Sequence, residues 1–199
     1  MRRGADENQG ESMKVARNVR SWISDWRLRR RFARAYSEAA GTARPGPHAM
    51  VVVLDHPLSE GSPAMVVRVA DAFGARAVYI IGTSYFYPPR SLENVPVRFF
   101  GSFDAVYEDL HREGYVIYAL APTPSRGAPQ FLHTTELPQK TAFVIGNERR
   151  GLTFLPDEYE GVTTLTIAQY GAIPWLQAGI AAALAMYEYA CQHGRPRTV

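Results

Sequence analysis

A chain of 199 residues, 46% hydrophobic and 21% charged, has ordinary globular composition and enough length for one domain with an extension. No apolar run approaches the roughly 20 residues that cross a bilayer, the polar first twenty residues predict no secretory signal, and a single cysteine, Cys191, excludes an internal disulfide; a cytoplasmic protein is expected. The net charge of +3 conceals an asymmetry: Lys14 and seven arginines between residues 14 and 34, against Asp25 alone, make that segment +7 and leave −4 for the rest.

Residues 1–13 are polar and aperiodic, which predicts a disordered tail. From 14 to about 40 the pattern is helical, with Val15, Val19, Trp22, Ile23 and Trp26 on one face and Arg17, Arg20, Arg27 and Arg31 on the other. Such a helix has an apolar stripe to dock with and a basic face left free. That face suits a polyanion such as RNA, although a merely solvated helix face would have the same composition. Gly41 to Pro47 reads as a linker, so the chain divides into a tail (1–13), a basic helix with linker (14–47) and a main domain (48–199).

The main domain alternates strand and helix. Met50–Leu54 is a continuous apolar run, as expected of a strand covered on both faces. Ser62 and Pro63 suit an N-cap and a first helical position, and Gly74 ends that helix after Phe73. Ala77–Ile81 is a second strand, and residues 83–96 form an aromatic, proline-rich loop. A helix over Phe103–Arg112, a strand over Tyr115–Leu120 and a loop over Pro122–Pro129 follow. Strands over Lys140–Ile145 and Val162–Ile167 precede a last helix from about Trp175 to Gln192. Five or so such repeats predict an α/β fold with a mainly parallel sheet and helices on both faces.

Several familiar sites are excluded. The five histidines are scattered without metal-ligand spacing, and no P-loop, dinucleotide fingerprint or nucleophile elbow occurs. Two stretches stand out instead. In FVIGNERRGL (143–152) an apolar strand stops at Gly146 and enters a polar turn, which is expected to expose backbone N–H groups at the carboxyl edge of the sheet. Gly146, without a Cβ, would let a ligand lie against the backbone, and Glu148 puts a carboxylate beside it. In LTIAQYGAIPWLQAGIAAALAMYEY (165–189) a strand and turn lead into a helix of small residues, which would let another backbone approach closely or would simply favour helix.

Together these stretches resemble the second and third signature motifs of the SpoU (TrmH-like) branch of the SPOUT RNA methyltransferases. Residues 62–82, SPAMVVRVADAFGARAVYIIG, resemble the first. The resemblance covers roughly residues 48–192. It implies a C-terminal trefoil knot, an obligate homodimer, S-adenosylmethionine as cofactor without any metal, and methyl transfer to a ribose 2′-hydroxyl of tRNA or rRNA. By the same resemblance the cofactor would contact Leu120, Ala121, Ile145, Gly146, Asn147, Ile167, Gln169 and Leu176. Arg68 matches the family's catalytic arginine, proposed to bind the target phosphate and help deprotonate the ribose hydroxyl, and Glu148 the motif carboxylate. Ser62 stands where the family has asparagine, and Trp175-Leu176-Gln177 where it has Ser-Leu-Asn. These positions, with Arg17, Arg20, Arg27 and Arg31, are the candidate substrate contacts. Two other readings stay open: a methyltransferase of small molecules with Trp175 and residues 85–87 as a pocket wall, and an RNA-binding or assembly factor without catalysis.

Overall fold

The computed structural model describes residues 43–58, 61–82, 94–124 and 127–194. The basic segment with Arg17, Arg20, Arg27 and Arg31, and the aromatic loop 85–87, lie outside the described residues. Six strands form one parallel sheet: β1 (Val51–Asp55), β2 (Ala77–Ile81), β3 (Val97–Phe100), β4 (Val116–Leu120), β5 (Thr141–Ile145) and β6 (Val162–Leu165). Their order across the sheet is β3-β2-β1-β5-β4-β6. Three α-helices lie among the described residues: α1 (Gly61–Ala72) between β1 and β2, α2 (Phe103–Arg112) between β3 and β4, and α3 (Ala178–His193) after β6.

The unbroken apolar runs are explained by this layering. In β1, Val52 and Leu54 face a core shared with Val66, Val67 and Ala70 of α1 and with Ala182, Ala185 and Met186 of α3. Val51 and Val53 face the opposite core, under Phe103, Val106 and Leu110 of α2. Alternate residues point to opposite faces, so a strand buried on both sides has no place for a polar residue until it ends. It ends at Asp55, fully buried and satisfied as described below.

Register decides where the site forms. Leu54 pairs with Ile145, Ile145 with Leu120, and Leu120 with Leu165. The carboxyl ends of β1, β5, β4 and β6 therefore stop at one level, and whatever follows each strand meets its neighbours there.

Several expectations are corrected. The edge strand β3 was not foreseen; it is four residues long, only partly buried, and bounded by Pro96 and Gly101. Gly61 already lies in α1, so Ser62 and Pro63 fall inside its first turn rather than at its cap and first position. α3 starts at Ala178, three residues after Trp175. β6 stops at Leu165 because Thr166 turns its hydrogen bonds to another segment: its N–H donates to the Gln130 carbonyl (2.8 Å), and its own carbonyl accepts from Leu132 (2.9 Å). Part of the presumed linker is held in place, since Gly46 N–H bonds the Ala75 carbonyl at 3.0 Å.

The small residues of α3 serve packing within the chain. A Cβ on Gly179 would collide with the Met65 thioether of α1, and Ala178, Ala182 and Ala185 are buried.

Candidate active site

The segments that follow β4, β5 and β6 enclose a cavity of about 340 Å³ together with the start of α3. All eight residues proposed to contact a cofactor line it: Leu120, Ala121, Ile145, Gly146, Asn147, Ile167, Gln169 and Leu176. Glu148, Arg149, Arg150 and Trp175 complete the polar and aromatic part of the wall. Trp175 is 63% exposed and Gln177 also lies at the surface. The carbonyl of Gln177 accepts the Ile180 and Ala181 N–H groups at 2.9 and 3.0 Å, which opens α3.

The turn after β5 uses its polar groups differently from the expectation. Asn147 and Gly151 exchange two backbone hydrogen bonds of 2.8 Å. The Asn147 Oδ1 accepts the N–H groups of Arg149 and Arg150 (2.9 and 3.0 Å), and its Nδ2 donates to the His56 carbonyl. The N–H groups of residues 147, 149, 150 and 151 are thus consumed within the turn, and Asn147 fastens it to β1. The role given to Gly146 changes as well. An added Cβ would meet not open cavity but the returning backbone, 2.5 Å from the Gly151 carbonyl carbon and 2.7 Å from the Leu152 nitrogen. Glycine is required there because the turn folds back on it.

Glu148 sits at the rim between two motifs. The Ser62 hydroxyl donates to its Oε1 at 2.6 Å, and the Leu58 N–H to its Oε2 at 2.9 Å. Burial disfavours the charged carboxyl, but the hydrogen bonds from Ser62, from Leu58 and from its own N–H outweigh this and hold it below the usual carboxylate range. Ser62, although shorter than asparagine, therefore reaches the second-motif carboxylate across 86 positions of sequence. Arg68 is not part of this assembly: it is exposed on α1 and absent from the cavity wall.

A neighbouring polar group, centred on Asp55, carries no recognisable sequence motif. The buried Asp55 carboxylate accepts from the Thr153 N–H (2.6 Å), from the Thr153 hydroxyl (2.8 Å) and from His56 Nδ1 (2.8 Å). A polar Asp-His pair directly after an apolar strand was its only sequence signal. Among the described residues no helix is long and apolar enough to span a membrane, and no group of His, Cys, Asp or Glu could hold a metal.

Among known proteins similar to this chain is an uncharacterised tRNA/rRNA methyltransferase of Synechocystis, 28% identical over 157 residues. The match takes in 74% of this chain and 39% of the relative, so the chain spans about two fifths of that relative's length. The solved structure of the SpoU methyltransferase AviRb from Streptomyces viridochromogenes, in complex with the cofactor AdoMet, aligns with a TM-score of 0.62 at 25% identity, covering 76% of this chain and 61% of that one. A structure described as giving insight into 2-OH methylation of C/U34 on tRNA aligns with a TM-score of 0.61 at 28% identity, covering 75% of this chain and all of the other (100%). Residues 49–187, well over half of the chain, match the model of the SpoU rRNA Methylase family, and the protein belongs to that family.

Proposed function

We propose that the protein transfers a methyl group from S-adenosylmethionine to a ribose 2′-hydroxyl of tRNA or rRNA. The observation that carries this reading is the meeting of three separate chain segments around one cavity, with the Ser62–Glu148 bond at its rim. The cavity falls in the range of small-molecule sites. Its apolar wall of Leu120, Ala121, Ile145, Ile167 and Leu176 suits the cofactor's adenosine. The bound cofactor supplies a methyl group already activated on a sulfonium, so the protein has to orient the hydroxyl and accept its proton. Glu148 would fix the rim through Ser62 and Leu58, Trp175 would stack on the target base, and Arg68 would contact phosphate.

The family's knot belongs to the same reading. Thr166 leaves β6 bonded to Gln130 and Leu132, and the chain then returns as α3 to pack on β5, which supports threading of residues 166–177 through the loop after β4.

The test combines titration calorimetry with transfer of labelled methyl to total RNA. Leu176→Asp is expected to weaken S-adenosylmethionine binding at least about 10-fold, because an apolar side chain on the wall contributes roughly 1.5–3 kcal/mol when buried. Trp175→Ser should bind cofactor normally and need roughly 5- to 150-fold more RNA, the equivalent of one stack worth about 1–3 kcal/mol. Cofactor binding without any labelled RNA would overturn the catalytic reading. Labelled product in a metabolite extract alone would replace RNA by a small molecule.

The homodimer is proposed from the surface of α1 and α3. Ile180, Leu184 and Tyr187 recur at helical spacing on α3, all exposed, beside the exposed Met65 of α1. Leu184→Glu with Tyr187→Glu should convert a micromolar dimer to monomer in light scattering, with little effect on the monomer fold. An unaltered dimer would place the interface elsewhere.

A further inference from the structure

Arginines elsewhere in the described residues are paired with carboxylates: Arg76 with Glu113, and Arg98 and Arg112 with Asp109. Arg149 and Arg150, on the turn after β5, differ. Both are exposed and both line the cavity, and neither forms an ion pair among the described residues. The carboxylates that border the turn are engaged by other donors, Glu148 by Ser62 and Leu58, and Asp55 by Thr153 and His56.

Turns of this kind often bind anions through successive backbone N–H groups. Here the N–H groups of Arg149 and Arg150 already donate to Asn147 Oδ1 (2.9 and 3.0 Å), and those of Asn147 and Gly151 to each other's carbonyls. Recognition of negative charge is left to the two guanidiniums. The same hydrogen bonds fix the backbone beneath them, so less ordering is lost when a ligand arrives. S-adenosylmethionine matches two cations poorly, because its sulfonium and ammonium outweigh its single carboxylate. A phosphate diester carries a full negative charge and accepts the guanidinium fork. Ribose methylation necessarily brings one: the 2′-hydroxyl sits on the carbon next to the one whose oxygen bears the 3′ phosphate. A 2′-oxygen presented to the methyl group therefore carries that phosphate to the mouth of the cavity, where Arg149 and Arg150 are the basic residues of the wall.

We propose that Arg149 and Arg150 hold the phosphate on the 3′ side of the target nucleotide and so set its ribose at the cavity mouth. This rests on the methyl-transfer reading above. It leaves Arg68 a contact of its own, because a nucleotide within a chain has a phosphate on either side. No proton moves and no bond breaks at the pair, which binds and orients. The exposed indole of Trp175 stands in the same wall. Base and phosphate of one nucleotide are then held at two points, and a base can lie on an indole only when it is unstacked from its neighbours. The substrate class this selects is an unpaired nucleotide in a loop or bulge of the RNA, not one within a duplex.

The test compares wild type with Arg149→Gln/Arg150→Gln and with Arg149→Lys/Arg150→Lys. The probe is total RNA, and the RNA concentration for half-maximal transfer of labelled methyl is read across a salt series. The glutamine pair is expected to need about 10- to 100-fold more RNA and to flatten the logarithmic salt dependence by about 0.7, the value for one phosphate of a single strand. The lysine pair should keep the wild-type slope, since an ammonium neutralises a phosphate equally. Calorimetric affinity for S-adenosylmethionine and the melting temperature should stay near wild type in both. A glutamine pair with the wild-type slope and RNA requirement, or a lysine pair as flat as the glutamine pair, would overturn the assignment. Lost cofactor affinity with an unchanged slope would overturn it as well, by giving the arginines to the cofactor's carboxylate. A wild-type protein that labels no RNA would instead overturn the methyl-transfer reading, which is measured first.

Discussion

Glu148→Ala is expected to lower single-turnover methyl transfer to RNA by about 10²–10³-fold, the scale of losing one preorganised polar group at a reacting centre. The carboxylate links Ser62 on α1 to the turn after β5, and its removal leaves the Ser62 hydroxyl without its 2.6 Å acceptor and the Leu58 N–H without its 2.9 Å one. The start of α1 and the turn after β5 then lose one of the ties that hold the rim, and small misplacements at a transfer site are expensive. Glu148→Gln isolates the charge. A carboxyl held below its ordinary value of 4.5 by hydrogen bonds contributes stability that is fully present above that value and is lost as pH falls through the lower folded one. The stability difference between wild type and Glu148→Gln should therefore hold at neutral pH and close in acid, read by thermal melts across pH. Transfer by Glu148→Ala at near wild-type rate would remove the carboxylate from the mechanism.

Reversal of Arg17, Arg20, Arg27 and Arg31 to glutamate is expected to weaken RNA binding by orders of magnitude at low salt while cofactor affinity is unchanged. Every arginine that no longer neutralises a phosphate also flattens the dependence of log K on log salt, by about 0.7 for single strands and about 0.9 for duplex. Four such arginines should reduce the slope by roughly 3–4. Filter binding across a salt series measures both. RNA affinity and slope equal to wild type would mean that the basic face of residues 14–34 is only solvated, and that RNA is held by the cavity rim alone.

Much of the fold was legible in the residues. β2 and α2 fall on their predicted bounds, and β1, β2 and β5 are the apolar runs expected of strands buried on both faces. The eight cavity residues were implied by the resemblance to the SpoU family, and the sheet gathers them because its parallel strands have level carboxyl ends, with Leu176 brought in just before α3. β3 escaped notice because four residues between Pro96 and Gly101 leave too little pattern for a strand of period two.

The finer features of the site depended on tertiary contacts. Gly146 was marked by sequence, but its reason, a turn folding back on itself, needed the position of Gly151. The N–H groups of the same turn looked available until Asn147 was seen to take them. Asp55 and Thr153 meet across 98 positions, and the carboxylate so fixed also holds His56. Local sequence carries propensity and periodicity, which are properties of neighbours along the chain. The partners of a buried carboxylate are set by register and by loop paths, and these exist only once the sheet has formed.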